Sequence, residues 1–216
     1  MKDLIMDKIN VLQAMQSLDF IIEDLNDENI KKWVNSELKG YQSEDELPDY
    51  RKTIAMLKGN IQVGCHVYNN VDIPIADQEI FEKITKIELR EPISTIIQMA
   101  KAENEVKEHS LSLSVNTVMV NHYQQTNGDV IRAHRMLGVY TYNNIIAKIK
   151  DKLLEIFKLL ENNYGNLDEL YIDFSDESKR EETEQSITNI IYNDNSIKIG
   201  NNNKIDKSIV GDENGN

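Results

Sequence analysis

The sequence predicts an α+β fold: long N-terminal and C-terminal helices packed on a small, mostly antiparallel sheet, followed by an Asn/Gly/Ile-rich tail suited to β-rungs. Three observations carry that expectation. Apolar residues recur every three or four positions across residues 2–25 and 142–163, the spacing of one helix face. Between 52 and 75, and again from 111 to 140, the pattern shortens to the alternation of strands. After Phe174 the composition changes twice, first to charge and then to asparagine, glycine and isoleucine.

In chain order, Ile5, Ile9, Leu12, Met15, Leu18, Ile22 and Leu25 define a first helix that no proline or glycine interrupts. Asn26 or Asp27 suits the N-cap of a second, with Glu28 in the first turn, where the helix dipole favours an acid. On it, Ile30, Val34 and Leu38 form the inward stripe, with Trp33 and Glu37 in the row beside them. Gly40 suits a left-handed stop, Tyr41 can fold back on the last turn, and Pro48 keeps Leu47 out of a new helix.

Strands are expected at 53–57, 61–68 and 71–75, with turns at Lys58-Gly59-Asn60 and Asn69-Asn70. A short helix from Asp77 to Lys86 precedes another that starts near Pro92 and runs into the charged stretch Lys101 to Glu108. Leu111, Leu113, Val115 and the segment Val118 to Val120 read as a strand or a bent pair. Thr126-Asn127-Gly128-Asp129 reads as a hairpin turn, and Val130 to Tyr140 as the returning strand. The clearest helix runs from Tyr142 to Asn163, capped by Thr141 and ended by Gly165. Its expected partner is the helix of residues 2–25.

Composition narrows function. The 216 residues suit one domain with an appendage. A 40% hydrophobic share supports a core, while 28% charged residues and a mean hydropathy of -0.51 exclude a membrane-embedded class. A net charge of -13 argues against nucleic acid and anionic lipid as partners, since both need clustered Lys and Arg. Cys65 is the single cysteine, so the chain forms no internal disulfide. The first residues lack the basic-then-apolar order of a secretory signal, and no run has the length of a membrane span. A cytoplasmic protein is the expectation.

The chain divides by composition into residues 1–174, a charged linker at 175–185 and a tail at 186–216. In the tail three Ser-Ile starts, at Ser186, Ser196 and Ser208, each precede an Asn/Asp/Gly corner. Such a repeat can stack as β-rungs, with Ile187, Ile191, Ile197, Ile199, Ile205 and Ile209 as the oligomerising residues. The alternative is a low-complexity terminus without order.

Candidate chemistry is sparse. The four histidines, His66, His109, His122 and His134, stand apart from one another. Cys65 and His66 are adjacent, and neighbours in a strand face opposite ways, so neither a metal nor another cofactor is expected. Arg132 and His134 would share a strand face and could receive an anion; the competing reading is pairing with surface acids. Trp33, Glu37, Gly40, Tyr41, Pro48, Tyr50 and Arg51 gather polar and aromatic groups within a short span. Glu37 and Arg51 read either as base and anion binder of a pocket, or as a buried pair around which Trp33 and the tyrosines pack. The second is favoured, because no nucleophile or metal ligand accompanies them.

The pattern Trp33-x-x-x-Glu37-Leu38-x-Gly40-Tyr41, then Leu47-Pro48-x-Tyr50-Arg51, resembles the signature of the AbiTii domain of bacterial phage-defence proteins. The helix from Ile149 to Glu161, before Tyr164-Gly165, is similar to that family's late helix. The resemblance covers about residues 2–172 and implies a role in abortive infection, without supplying a catalytic residue. Together these readings suggest a non-enzymatic module that self-associates into a homo-oligomer through its tail, with a phage or defence-system protein as a possible partner. The alternative is a toxic effector enzyme acting on nucleic acid or nucleotide.

Overall fold

A computed structural model describes residues 2–105, 112–138, 140–165, 167 and 172–192. Helices α1 (Lys2–Ile5), α2 (Val11–Ile21) and α3 (Glu28–Lys39) open the chain. A hairpin-rich stretch follows: β1 (Lys52–Ile54), β2 (Met56–Val63), β3 (His66–Asp72), α4 (Gln78–Thr85) and β4 (Lys86–Glu88). Then come α5 (Ile93–Glu105), β5 (Ser112–Ser114), α6 (Thr117–Tyr123), β6 (Asp129–Met136), α7 (Thr141–Tyr164) and α8 (Glu177–Tyr192). The α+β class holds. The strands form an antiparallel β1-β4 pair and an antiparallel four-stranded sheet in the order β3-β2-β6-β5.

Two hydrophobic cores organise these elements. The larger is helical: α2, α3, α5, α7 and α8 bury Met15, Leu18, Val34, Ile96, Leu153 and Ile187 against one another. The smaller lies on one face of the four-stranded sheet, where Leu57, Ile61, Val130 and Ala133 meet Ile84 of α4 and Val120 of α6. The long helices therefore pack chiefly on each other. Shorter helices cover the sheet, because its inward stripe is only a few residues long.

Several local expectations change for identifiable reasons. The first helix is broken. Asp7 takes a positive φ of 53°, and Asn10 starts α2 with a reciprocal capping box to Gln13, each bond 2.9 Å. Such a box satisfies two orphan N–H groups at once and so marks a true helix start inside an unbroken apolar period. Lys58-Gly59-Asn60 is not a turn but the middle of β2. Gly59 pairs with Ala133 where the register shifts, and a Cβ there would lie 2.1 Å from the Arg132 carbonyl oxygen. The glycine serves close strand approach. The reversal falls at Gly64-Cys65 instead, leaving Cys65 and His66 exposed. Val118–Val120 is helical, because the Asn116 side chain accepts from the Val118 and Met119 amides and caps α6. The Asn127-Gly128 turn thus joins a helix to β6 rather than strand to strand. Tyr140 rather than Thr141 occupies the N-cap of α7, with no side-chain bond; Gly165 ends that helix as expected.

The largest correction concerns the charged segment. Residues 177–185, expected as a linker, are the first half of α8. Charged residues supply its solvent side, while Thr183, Ile187 and Ile191, four apart, are buried against α3 and α7. Ile187 and Ile191 therefore belong to the helical core and not to a β-rung. Two buried isoleucines and a threonine in sixteen residues leave too faint an apolar stripe for sequence periodicity to register. Ile197, Ile199, Ile205 and Ile209 lie outside the described residues.

Candidate functional site

The densest polar constellation lies where α3, the 3-10 turn Asp49–Arg51 and the segment after β4 meet. Asp27 caps α3 by accepting from the Asn29 and Ile30 amides, which sets the helix phase. That phase buries Ile30 and Val34, and with them Trp33 and Glu37. Gly40, at φ 94°, stops the helix; its Cβ would stand 3.0 Å from the Arg90 carbonyl oxygen. The positive φ lets Tyr41 turn back, with its amide donating to that same carbonyl at 2.8 Å. Pro48 opens the 3-10 turn, whose Arg51 amide donates to the Pro48 carbonyl at 2.9 Å. The turn delivers Arg51 into the protein.

Arg51 and Glu37 are both 0% exposed. The guanidinium meets the carboxylate side-on: Nη2 donates to Glu37 Oε2 in a very short contact, and Nε donates to Oε1 at 3.4 Å. Its other arm donates to the carbonyls of Glu91 at 2.8 Å and Leu89 at 3.4 Å. The Tyr41 and Tyr50 hydroxyls each donate to Glu37 Oε1 at 2.7 Å, and Trp33 Nε1 donates to the Tyr50 oxygen at 2.9 Å. The Tyr41 ring lies 5.4 Å from the guanidinium carbon. Glu37 thus receives donors from three side chains, and Arg51 joins helix, turn and post-strand segment.

The electrostatics match this geometry. Burial, and then the charge of Glu37, hold the Tyr41 and Tyr50 hydroxyls well above the ordinary phenol range. Burial alone would pull Arg51 down, but the charge and hydrogen bonds of Glu37 outweigh it and raise the guanidinium. The group is a neutral whole: one cation, one anion and two phenols locked in their protonated form. With both carboxylate oxygens engaged and no exposed surface, Glu37 is placed to hold elements together and not to abstract a proton from a ligand.

Two contributors carry no signal in the sequence, the segment 89–91 and Lys152 of α7. Leu89, Arg90 and Glu91 supply backbone carbonyls, and Arg90 itself donates to the carbonyls of Gln42 and Asp45, fastening the loop after α3. Carbonyl acceptors carry no side-chain signature, so residue type alone does not reveal them. Lys152 of α7 is buried beside Tyr50, its ammonium 5.8 Å from the ring, and donates to the Ile190 carbonyl at 2.7 Å. A basic residue at a helix C-terminus is favourable, but here it comes from another helix.

The second candidate pair lies elsewhere. Arg132 and His134 stand on β6, on the face opposite the buried Ala133. The structure does not bring them to the Glu37 group. Among the described residues no cluster of His, Cys, Asp or Glu gathers to hold a metal ion. None of the described helices is long and apolar enough to cross a membrane.

This is an α+β helical domain whose conspicuous motif builds a buried ion-pair joint. The chain belongs to the AbiTii family, whose model matches residues 1–187. The match includes most of α8, in agreement with the place of that helix in the core. Membership connects the chain with bacterial abortive infection, a form of phage defence. No curated protein and no solved structure matches it.

Proposed function

We propose that this AbiTii chain acts in abortive infection as a self-associating, non-enzymatic assembly module, with copies joined through the tail beyond Tyr192. The observation that carries this reading is the filled, fully buried state of Glu37 and Arg51, which makes the family motif a structural joint. With Ile187 and Ile191 taken into the core, the assembling residues are Ile197, Ile199, Ile205 and Ile209 of the Ser-Ile repeats. A protein partner from phage or host would be engaged by the assembled form.

The test compares the full chain with one ending at Tyr192, by light scattering coupled to size exclusion and by phage challenge. The shortened chain should keep its melting temperature, fall to a lower mass and lose protection. An unchanged mass would overturn tail-driven assembly. The alternative of a toxic effector enzyme acting on nucleic acid or nucleotide is distinguished by Glu37→Gln. Loss of protection with unchanged melting favours chemistry; loss of both together favours the joint.

A further inference from the structure

The outward face of the four-stranded sheet belongs to neither core. Along β2 and β6 three rungs face outward: Met56 opposite Met136, Lys58 opposite His134, and Asn60 opposite Arg132. Ser114 of β5 opposes His134 from its other side. Leu57, Ala133 and Ile61 lie between or beside these positions and are buried on the inner face, so alternation sends the rung residues out.

We propose that this face binds a small phosphorylated ligand of nucleotide type. Lys58, Asn60, Arg132 and His134 stand at the corners of a patch about 5 Å across the strands and about 7 Å along them, a footprint that one phosphate can span. All four offer N–H donors outward. The Asn60 oxygen already accepts from the Asn70 amide at 3.1 Å, leaving its NH2 group to face out. Lys58 pairs with Asp72 at 2.9 Å and keeps further ammonium hydrogens. Arg132 and His134 hold no ion pair among the described residues. In a chain with 37 acidic residues against 24 basic ones, two carboxylates adjoin these positions in the strand register, one of them directly opposite Lys58. They are Asp72 on the edge strand and Asp129 beyond the bulge.

The neighbouring rung specifies the rest of the ligand. Met56 is 43% exposed, and neither it nor Met136 joins a core cluster. Two polarisable thioethers side by side form an apolar ledge that suits a flat aromatic ring. Donors one rung away would take the phosphate. A long polyanion is disfavoured by the net charge of -13, which acts at a distance, whereas a ligand with one or two charges meets mainly the local donors. This inference is independent of the assembly reading: it concerns the sheet, not the tail.

The test is NMR of the full chain, following the Met56 and Met136 methyl signals and the His134 ring. The probes are adenosine monophosphate, adenosine, inorganic phosphate and a short single-stranded RNA. Adenosine monophosphate should move all three reporters, and inorganic phosphate only His134. Arg132→Ala with His134→Ala should weaken adenosine monophosphate binding roughly tenfold or more, since charge-assisted hydrogen bonds are lost, at unchanged melting temperature. No shift with adenosine monophosphate at about 10 mM, weaker than any useful site, would overturn the proposal. So would shifts that survive the double substitution. Binding of the RNA without the mononucleotide would replace it with a nucleic-acid surface.

Discussion

At the scale of single residues, a carboxylate and a guanidinium taken fully out of water are stable only because they pair with each other and share four further hydrogen bonds with two hydroxyls and two carbonyls. Arg51→Met would leave Glu37 charged and buried with only two phenols, and should cost about 3–5 kcal/mol in urea unfolding. Replacing both partners, as Glu37→Leu with Arg51→Met, should cost clearly less than the sum of the single changes, since neither charge is then stranded. Tyr50→Phe removes the oxygen between Trp33 and Glu37 and should cost about 1–3 kcal/mol. The tyrosines also predict a pH effect. Both hydroxyls are raised in the folded chain, so their contribution is fully present below the unfolded phenol value of about 10. It is lost as pH rises above that value, because the unfolded chain then releases protons that the native chain retains. Melting temperature should fall on the alkaline side, and the fall should be shallower in Tyr50→Phe. The residues of this group were legible in the sequence, since few motifs place Trp, Glu, Gly, Tyr, Pro and Arg so closely. Their saturation by the Leu89 and Glu91 carbonyls was not.

At the scale of elements, α8 shows how a charged segment becomes a core helix. Its docking combines buried Ile187 and Ile191 with polar ties. Glu184 accepts from the Asn26 amide at 2.7 Å, and the Thr188 hydroxyl donates to Asp27, the α3 cap, at 3.1 Å. Thr183 bonds both Asn163 and Tyr164. Ile187→Ala should therefore destabilise by about 2–5 kcal/mol, the range for emptying a well-packed site, measured by chemical denaturation. A chain ending at Gln185 should unfold at lower temperature than one ending at Tyr192. Were α8 only a linker, the two would melt alike. Composition misled here because a helix docked by a narrow stripe needs few apolar residues. The partner that makes those residues count lies far away in sequence.

At the scale of the molecule, the two cores differ in size, and the sheet core contains few large side chains. Regions with fewer buried apolar contacts open at lower free energy. Amides of β2 and β6 should exchange with solvent faster than those in the middle of α7, measured by hydrogen exchange under native conditions. Equal protection in both would show that the sheet and the helices open only together. The Arg51 joint ties α3 of the larger core to the β1-β4 pair: Arg51 carries β1 directly after it, and its carbonyl accepts from the Leu89 amide at 2.9 Å beside β4. Weakening the joint should thus lower protection on both sides of it.

The α+β class, the α3 stripe with its glycine stop and the long α7 were legible in the residues alone, and a buried Glu37–Arg51 pair was the favoured of two readings. The helices and their stops depend on residues within a few turns of one another, where periodicity, caps and backbone restrictions act locally. Only the tertiary structure decided that the apolar run of residues 2–25 breaks at a capping box, that Gly59 serves strand approach, and that α8 closes the core. It also decided that Met56, Lys58 and Asn60 of β2 stand beside Arg132 and His134 on the outward face. Those outcomes depend on cross-strand register and long-range packing, which place residues side by side with no trace in their spacing along the chain.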